Sequence, residues 1–242
     1  MSTLVKVARY HLVRPYLYLV VTWGIVAFSF AMSIAGTAMS PDRHVAVATA
    51  TGVAMVAKVK YTGALSSFFI FFFVLGVQSI GRSLPFGLAL GVSRRSFYLG
   101  TALLAAALAC ADGILLAALQ AIERATGGWG VNMGFFRVPY LLDGPWYLTW
   151  LTSFVGVILL YVYGMWFGIV YRRWNVIGTV AFIAAQAVVL VAAAAVVTLA
   201  HGWTGVGRFF IDLTTAGLTG LLAVLAVALM VGGQATIRRA TV

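Results

Sequence analysis

Residues 176–200 read VIGTVAFIAAQAVVLVAAAAVVTLA, a run with no charged side chain. Its polar side chains are Thr179, Gln186 and Thr198. At about 1.5 Å of rise per residue, a helix of this length reaches about 37 Å, more than the roughly 30 Å of a bilayer's hydrocarbon core. Polar side chains this sparse give the run no solvated face. It therefore reads as a membrane span rather than an amphipathic helix of a soluble domain.

Five more apolar runs stand on either side of it, at 16–35, 63–80, 97–121, 147–170 and 213–233. The run at 63–80 is the shortest and suits a helix with little tilt. Across the 242 residues, 63% are hydrophobic and 9% charged, more apolar surface than a soluble domain of this size can bury. The expected fold is an all-α integral membrane bundle of six transmembrane helices, in one domain with nothing left over for a soluble one. No internal repeat is visible.

Charge orients the bundle. Lys6, Arg9 and Arg14 precede the first run, Arg82, Arg94 and Arg95 follow the second, Arg172 and Arg173 follow the fourth, and Arg238 and Arg239 close the chain. These segments carry no acid. The alternate linkers hold Arg43, Lys58, Lys60, Arg124, Arg137 and Arg208 together with Asp42, Glu123, Asp143 and Asp212. Ten basic residues against six put both termini in the cytoplasm by the positive-inside rule. The net charge of +11 is then a membrane-surface charge facing anionic lipid. Its division into pairs between spans, with no basic face, argues against nucleic acid as a partner. The first run exceeds a signal peptide's apolar core and reads as a retained helix. Cys110 is alone, so no internal disulfide forms.

The most distinctive linker is RSLPFGLALGVSRRSFYLG, residues 82–100. Pro85 is expected to end or kink the second helix. Gly87 and Gly91 permit a turn, and Ser93 can cap the next helix ahead of Arg94 and Arg95. Leu84, Phe86, Leu88 and Leu90 are apolar at a predicted cytoplasmic surface. Either the segment anchors in headgroups, or it docks into a cytoplasmic partner.

Pro85 to Gly87, Leu90 to Arg95 and then Phe97, Tyr98 and Gly100 resemble the loop between the second and third helices of ABC-2 type transporter permeases. That resemblance implies a coupling helix seated in a groove of a separate ABC ATPase subunit. Leu84, Pro85, Phe86, Leu90, Gly91, Ser93, Arg94 and Arg95 would form the contact. It further implies a pathway formed with a second permease copy, homodimeric or related, and ATP with Mg held by the ATPase, no cofactor being bound by this chain. Six spans with cytoplasmic termini and a basic amino-terminal interfacial segment fit the same family. One departure stands out, since many members carry a sizeable re-entrant element between helices five and six, where this chain has only 201–212.

Of the outer linkers, 36–62 reads as a segment of partly helical character. The other, 122–146, carries Trp129, Phe135, Phe136, Tyr140, Trp146 and Tyr147, which suit an aromatic belt or an outer lid. Asp112 is the acid set well inside a span, with Gln78, Gln120, Gln186 or a cation as its expected partner. An ionisable group at that depth marks an interhelical contact, a place on the substrate path or a proton-coupling site. Gly164 and Gly168 form a GxxxG pair suited to close helix packing, as do Ala192–Ala195 and Gly217, Gly220, Gly232 and Gly233.

No HExxH, Gly-x-Ser-x-Gly or P-loop pattern occurs, and His11, His44 and His201 lie far apart, so neither an enzymatic centre nor a metal site is expected. An ATP-driven exporter of an amphiphile is the leading expectation. A non-transporting accessory or immunity-type membrane protein and an integral membrane enzyme are the alternatives.

Overall fold

The computed structural model describes residues 15–39, 44–48, 54–58, 65–89, 91–131, 133–138, 141–142 and 144–238. The basic amino-terminal segment, Leu90, Arg239 and residues 40–43, 49–53 and 59–62 of the 36–62 linker lie outside them, as do the side chains of Arg82 and Phe86. Helix α1 is Pro15–Met39, begun by a proline whose fixed φ and missing N–H suit a first turn. Strand β1, His44–Ala48, pairs antiparallel with β2, Ala54–Lys58, His44 lying opposite Lys58. The linker expected to be partly helical thus holds a hairpin, in keeping with the β-branched valines Val45, Val47 and Val56.

Helix α2, Ser66–Gln78, continues through a π-helical turn, Ser79–Ser83, into α3, Leu84–Ala89. Pro85 therefore does not end the helix. The widened turn before it accommodates a ring that has no N–H to give to the preceding turn. Helix α4 is Arg94–Ala125, and α5 is Trp146–Leu199, interrupted at Asn175 with φ 55° and ψ −151°. On either side of Asn175 the two arms fold back on each other. Tyr163 donates to Gln186, and Phe182 packs 5.2 Å from Phe167. Helix α6 is Trp203–Asp212 and α7 is Thr215–Arg238.

The tightest seam joins α2 to the first arm of α5, residues 146–174. A Cβ on Gly76 would lie 2.0 Å from the Tyr161 carbonyl oxygen, and one on Gly164 would lie 2.1 Å from that of Phe73. At Gly168 a Cβ would meet Ile80 at 2.7 Å. Only hydrogen at these positions lets the backbones approach so closely. Helix α7 runs parallel to the same arm. Thr152 and Thr219 share a hydroxyl hydrogen bond of 2.7 Å, and further along Trp166 Nε1 donates to the Leu229 carbonyl at 2.8 Å. On another side the arm meets α4, running antiparallel, where Trp150 Nε1 reaches the Cys110 carbonyl at 3.3 Å. Phe68, Phe72, Ile80, Phe97, Tyr161 and Met165 fill the space between.

Arg94–Ala125, Trp146–Leu199 and Thr215–Thr236 are long and apolar enough to cross a membrane, and Val20–Gly36 and Ser66–Gly81 are shorter apolar helices. The second arm of α5 supplies the strongest requirement for an apolar medium. Leu190 is 71% and Val191 70% exposed, with Ile177, Val188, Val189 and Val196 similarly uncovered. That surface is stable against lipid and not against water. We expect Gly76→Ala to destabilise the purified protein by about 2–3 kcal/mol, because the methyl collides with backbone rather than a movable side chain. Gly24, with open space around it, is the control. Gly24→Ala is expected to be neutral or stabilising by up to about 1 kcal/mol, and detergent-denaturation curves of the two variants make the comparison.

Candidate functional site

The 84–98 segment is built around two helix ends. The Gly91 N–H bonds the Leu88 carbonyl at 2.9 Å and the Val92 N–H bonds that of Gly87 at 3.0 Å, with Gly91 at φ 78°. This is a Schellman stop, and glycine is the residue that enters its left-handed position without strain. Two residues on, Ser93 caps α4. Its hydroxyl accepts the Ser96 N–H at 3.2 Å while its backbone stays extended at ψ 147°. Gly87, read as part of a turn, lies inside α3, where a Cβ would sit 2.8 Å from the Phe97 ring.

Leu84 is buried at 6% and Leu88 packs against the core, so both hold the segment down from beneath. Ala89, Gly91, Ser93 and Arg95 form its exposed side, and Pro85 and Arg94 are half-buried. Tyr98, one turn into α4, donates its hydroxyl to the Met230 carbonyl of α7 at 3.0 Å. Gly233 makes room for that contact, since a Cβ there would lie 2.5 Å from the Tyr98 oxygen.

Asp112 is 2% exposed on α4. Its partner is Trp23 of α1, whose Nε1 donates to Oδ1 at 3.0 Å, rather than any of the glutamines. Gln120 instead donates to the Leu142 carbonyl and accepts from the Thr149 hydroxyl at 2.9 Å. Gln186 accepts from Tyr163 and donates to the Phe182 carbonyl at 3.3 Å, so it ties the two arms of α5 together and is not brought to Asp112.

Glu123, expected in the outer linker, is a second buried acid. It lies in the last turn of α4 and is 1% exposed. Oε2 accepts from Trp129 Nε1 at 2.9 Å and from the Phe135 and Phe136 N–H groups at 3.0 and 2.9 Å. Oε1 accepts the Arg137 N–H at 3.1 Å. These bonds hold a connection in which Gly127, Gly128, Trp129 and Gly130 all have positive φ. Trp129, the non-glycine among them, is fixed at both its backbone and its ring, its N–H reaching the Thr126 hydroxyl at 3.1 Å.

The connection's aromatics divide. Phe135 and Phe136 are buried against Phe30 of α1, whereas Trp146 and Tyr147 remain exposed at the start of α5. An acid at the C-terminal end of a helix opposes the macrodipole unless other donors compensate. That unfavourable position was the available signal for Glu123.

Among the described residues, no group of three or more His, Cys, Asp or Glu is placed to hold a metal ion. No protein-family model matches the chain, and no curated protein or solved structure matches it either.

Glu123→Gln replaces a four-fold acceptor by an amide whose NH2 must face backbone donors. We expect it to lower stability by about 2–3 kcal/mol and to loosen the 127–138 connection. Thermal unfolding followed by tryptophan fluorescence checks this, and an unchanged midpoint would assign the connection's order to its aromatic packing alone.

Proposed function

We propose that this chain is the membrane-spanning permease subunit of an ATP-driven ABC exporter. In this reading it crosses the membrane six times with both termini in the cytoplasm and forms the translocation pathway with a second permease copy. The six spans are α1, α2, α4, the two arms of α5, and α7.

Helix directions support this reading. The first arm of α5 runs parallel to α2 and α7 and antiparallel to α4 and its own second arm. Helix α1 follows α4, with Trp23 at the level of Asp112 and Phe30 at the level of the connection held by Glu123. Successive helices thus alternate in direction, as a six-span chain requires. The same alternation puts 84–98, the turn at Asn175 and the end of α7 on one side, with Arg94, Arg95, Arg172, Arg173 and Arg238.

The observation that carries the coupling assignment is the short helix Leu84–Ala89, stopped by Gly91 and joined through the Ser93 cap to α4. It is a compact, backbone-fixed segment with one exposed side, and Tyr98 ties its far end to α7. A partner that moves it moves the rest of the bundle. ATP closing a dimer of ATPase subunits would displace this segment and shift the pathway between its two open sides. Amphiphilic cargo such as a drug, lipid or peptide suits spans with so few charges.

Arg95 is exposed beside the stop. We expect Arg95→Glu, alone or with Arg94→Glu, to lower co-purification of a P-loop ATPase from the native host at least about tenfold, through like-charge repulsion at the contact. Membrane insertion should be unaffected. Unchanged ATPase recovery would remove the coupling assignment. Asp112→Asn keeps an oxygen for the Trp23 indole, so it is expected to fold and reach the membrane while transport by the reconstituted complex falls. Full transport by that variant would leave Asp112 as a packing contact.

A further inference from the structure

A cavity of about 330 Å³ lies between the start of α2, the first arm of α5, α7 and the side chains of Val138, Leu141 and Leu142. Its walls include Leu65, Phe69, Leu142, Leu159, Leu160 and Leu222. Thr152 also borders it, but its hydroxyl is taken by Thr219 at 2.7 Å. Among the described residues, no charged side chain lines it. The space exists because position 156 is glycine: a Cβ there would already sit 3.2 Å from the Phe69 ring, and a longer side chain would extend into the cavity. Ser66 and Leu141, both exposed, are among its lining residues, and the cavity is open to the surface of the bundle.

We propose that this cavity binds one acyl chain of a bilayer phospholipid. A polar ligand would bury groups against walls that offer nothing to bond them, at a cost of several kcal/mol. Apolar cavities lined by leucine and phenylalanine stay dry and accept apolar guests, and this volume lies in the range of ligand sites. The medium around the mouth identifies the guest. Two of the walls belong to helices long and apolar enough to cross a membrane, so hydrocarbon chains surround the opening. The inference needs these helices to lie in a bilayer and does not need the chain to serve an ATPase.

The test uses the full chain in vesicles of phosphatidylcholine and phosphatidylglycerol, doped with a phosphatidylcholine that carries a diazirine at the end of one acyl chain. Irradiation and peptide mapping should place adducts at Leu159, Leu160 and Leu222. Enrichment should be about fivefold over Val188–Leu190, the lipid-exposed stretch of the second arm, as a modest binding preference gives. Gly156→Leu fills the space from one wall and Leu160→Trp from another. Each should abolish the enrichment while leaving second-arm labelling and helicity unchanged.

Labelling of the cavity no stronger than that of the second arm would overturn the proposal, as would enrichment that survives both substitutions. Displacement by added free fatty acid but not by excess unlabelled phospholipid would also overturn it, by assigning the site to a single-chain amphiphile. Because no ATPase takes part, failure here is distinguishable from failure of the exporter reading.

Discussion

The backbone contact between α2 and the first arm of α5 is the constraint on which the remaining positions depend. In a bilayer the surroundings are as apolar as the helices, so association relies on close fit rather than escape from water. Gly76 and Gly164 supply that fit by bringing each helix's backbone against the other's carbonyls. Gly168 extends the seam to Ile80, at the turn where α2 widens into its π-helical segment. The seam therefore fixes where the 84–98 segment emerges. From the other side of the same arm, Thr152 and Trp166 fix α7, which in turn receives the Tyr98 hydroxyl. The segment is thereby held from both ends by a single helix it scarcely touches.

Among the described residues, both buried acids have their donors near at hand. Asp112 takes the indole of Trp23, a neutral donor on another helix, and through it α1 is tied to α4. Glu123 collects four N–H groups within its own connection. The difference is informative. Several charge-assisted bonds to a fixed backbone make a site rigid. A single neutral donor leaves a carboxyl group with capacity for other partners.

Helix existence was legible from the sequence because apolar runs near twenty residues have few alternatives; 97–121, 147–170, 176–200 and 213–233 all fall within helices, apart from Leu213, Thr214 and Ala200 at the boundaries. Local chemistry was legible where it depends on neighbours in sequence, as with the Ser93 cap and the turn at Gly91. Pro85, expected to end or kink the helix, does not end it, because a compensating π turn with no composition of its own lies upstream. The reversal at Asn175 was placed by Arg172 and Arg173, yet its sharpness, with helix up to Trp174, was not visible in residue type. Partners were the least legible feature. Asp112 with Trp23 and Glu123 with Phe135 and Phe136 pair residues whose proximity arises only from packing. The partner of Asp112 is neither one of the expected glutamines nor a cation but a tryptophan, whose indole is a donor that apolar surroundings tolerate.

Helix α4 sets how a displacement at one end of the molecule reaches the other. Its 32 residues, Arg94–Ala125, span about 48 Å, with the Ser93 cap at one end and Glu123 in the last turn at the other. It contains no proline and no residue outside helical geometry, so it has none of the ordinary causes of a bend. A push at Ser93 is consequently not absorbed along its length. The departures from α-helical geometry nearest to it both precede it, in the left-handed Gly91 and, before α3, in the π turn. At its far end, Glu123 binds the connection that buries Phe135 and Phe136 against α1. Movement of α4 must therefore carry that connection with it or break four hydrogen bonds. Transmission along a stiff helix between two bonded ends requires no chain of intermediate residues, only that both ends hold.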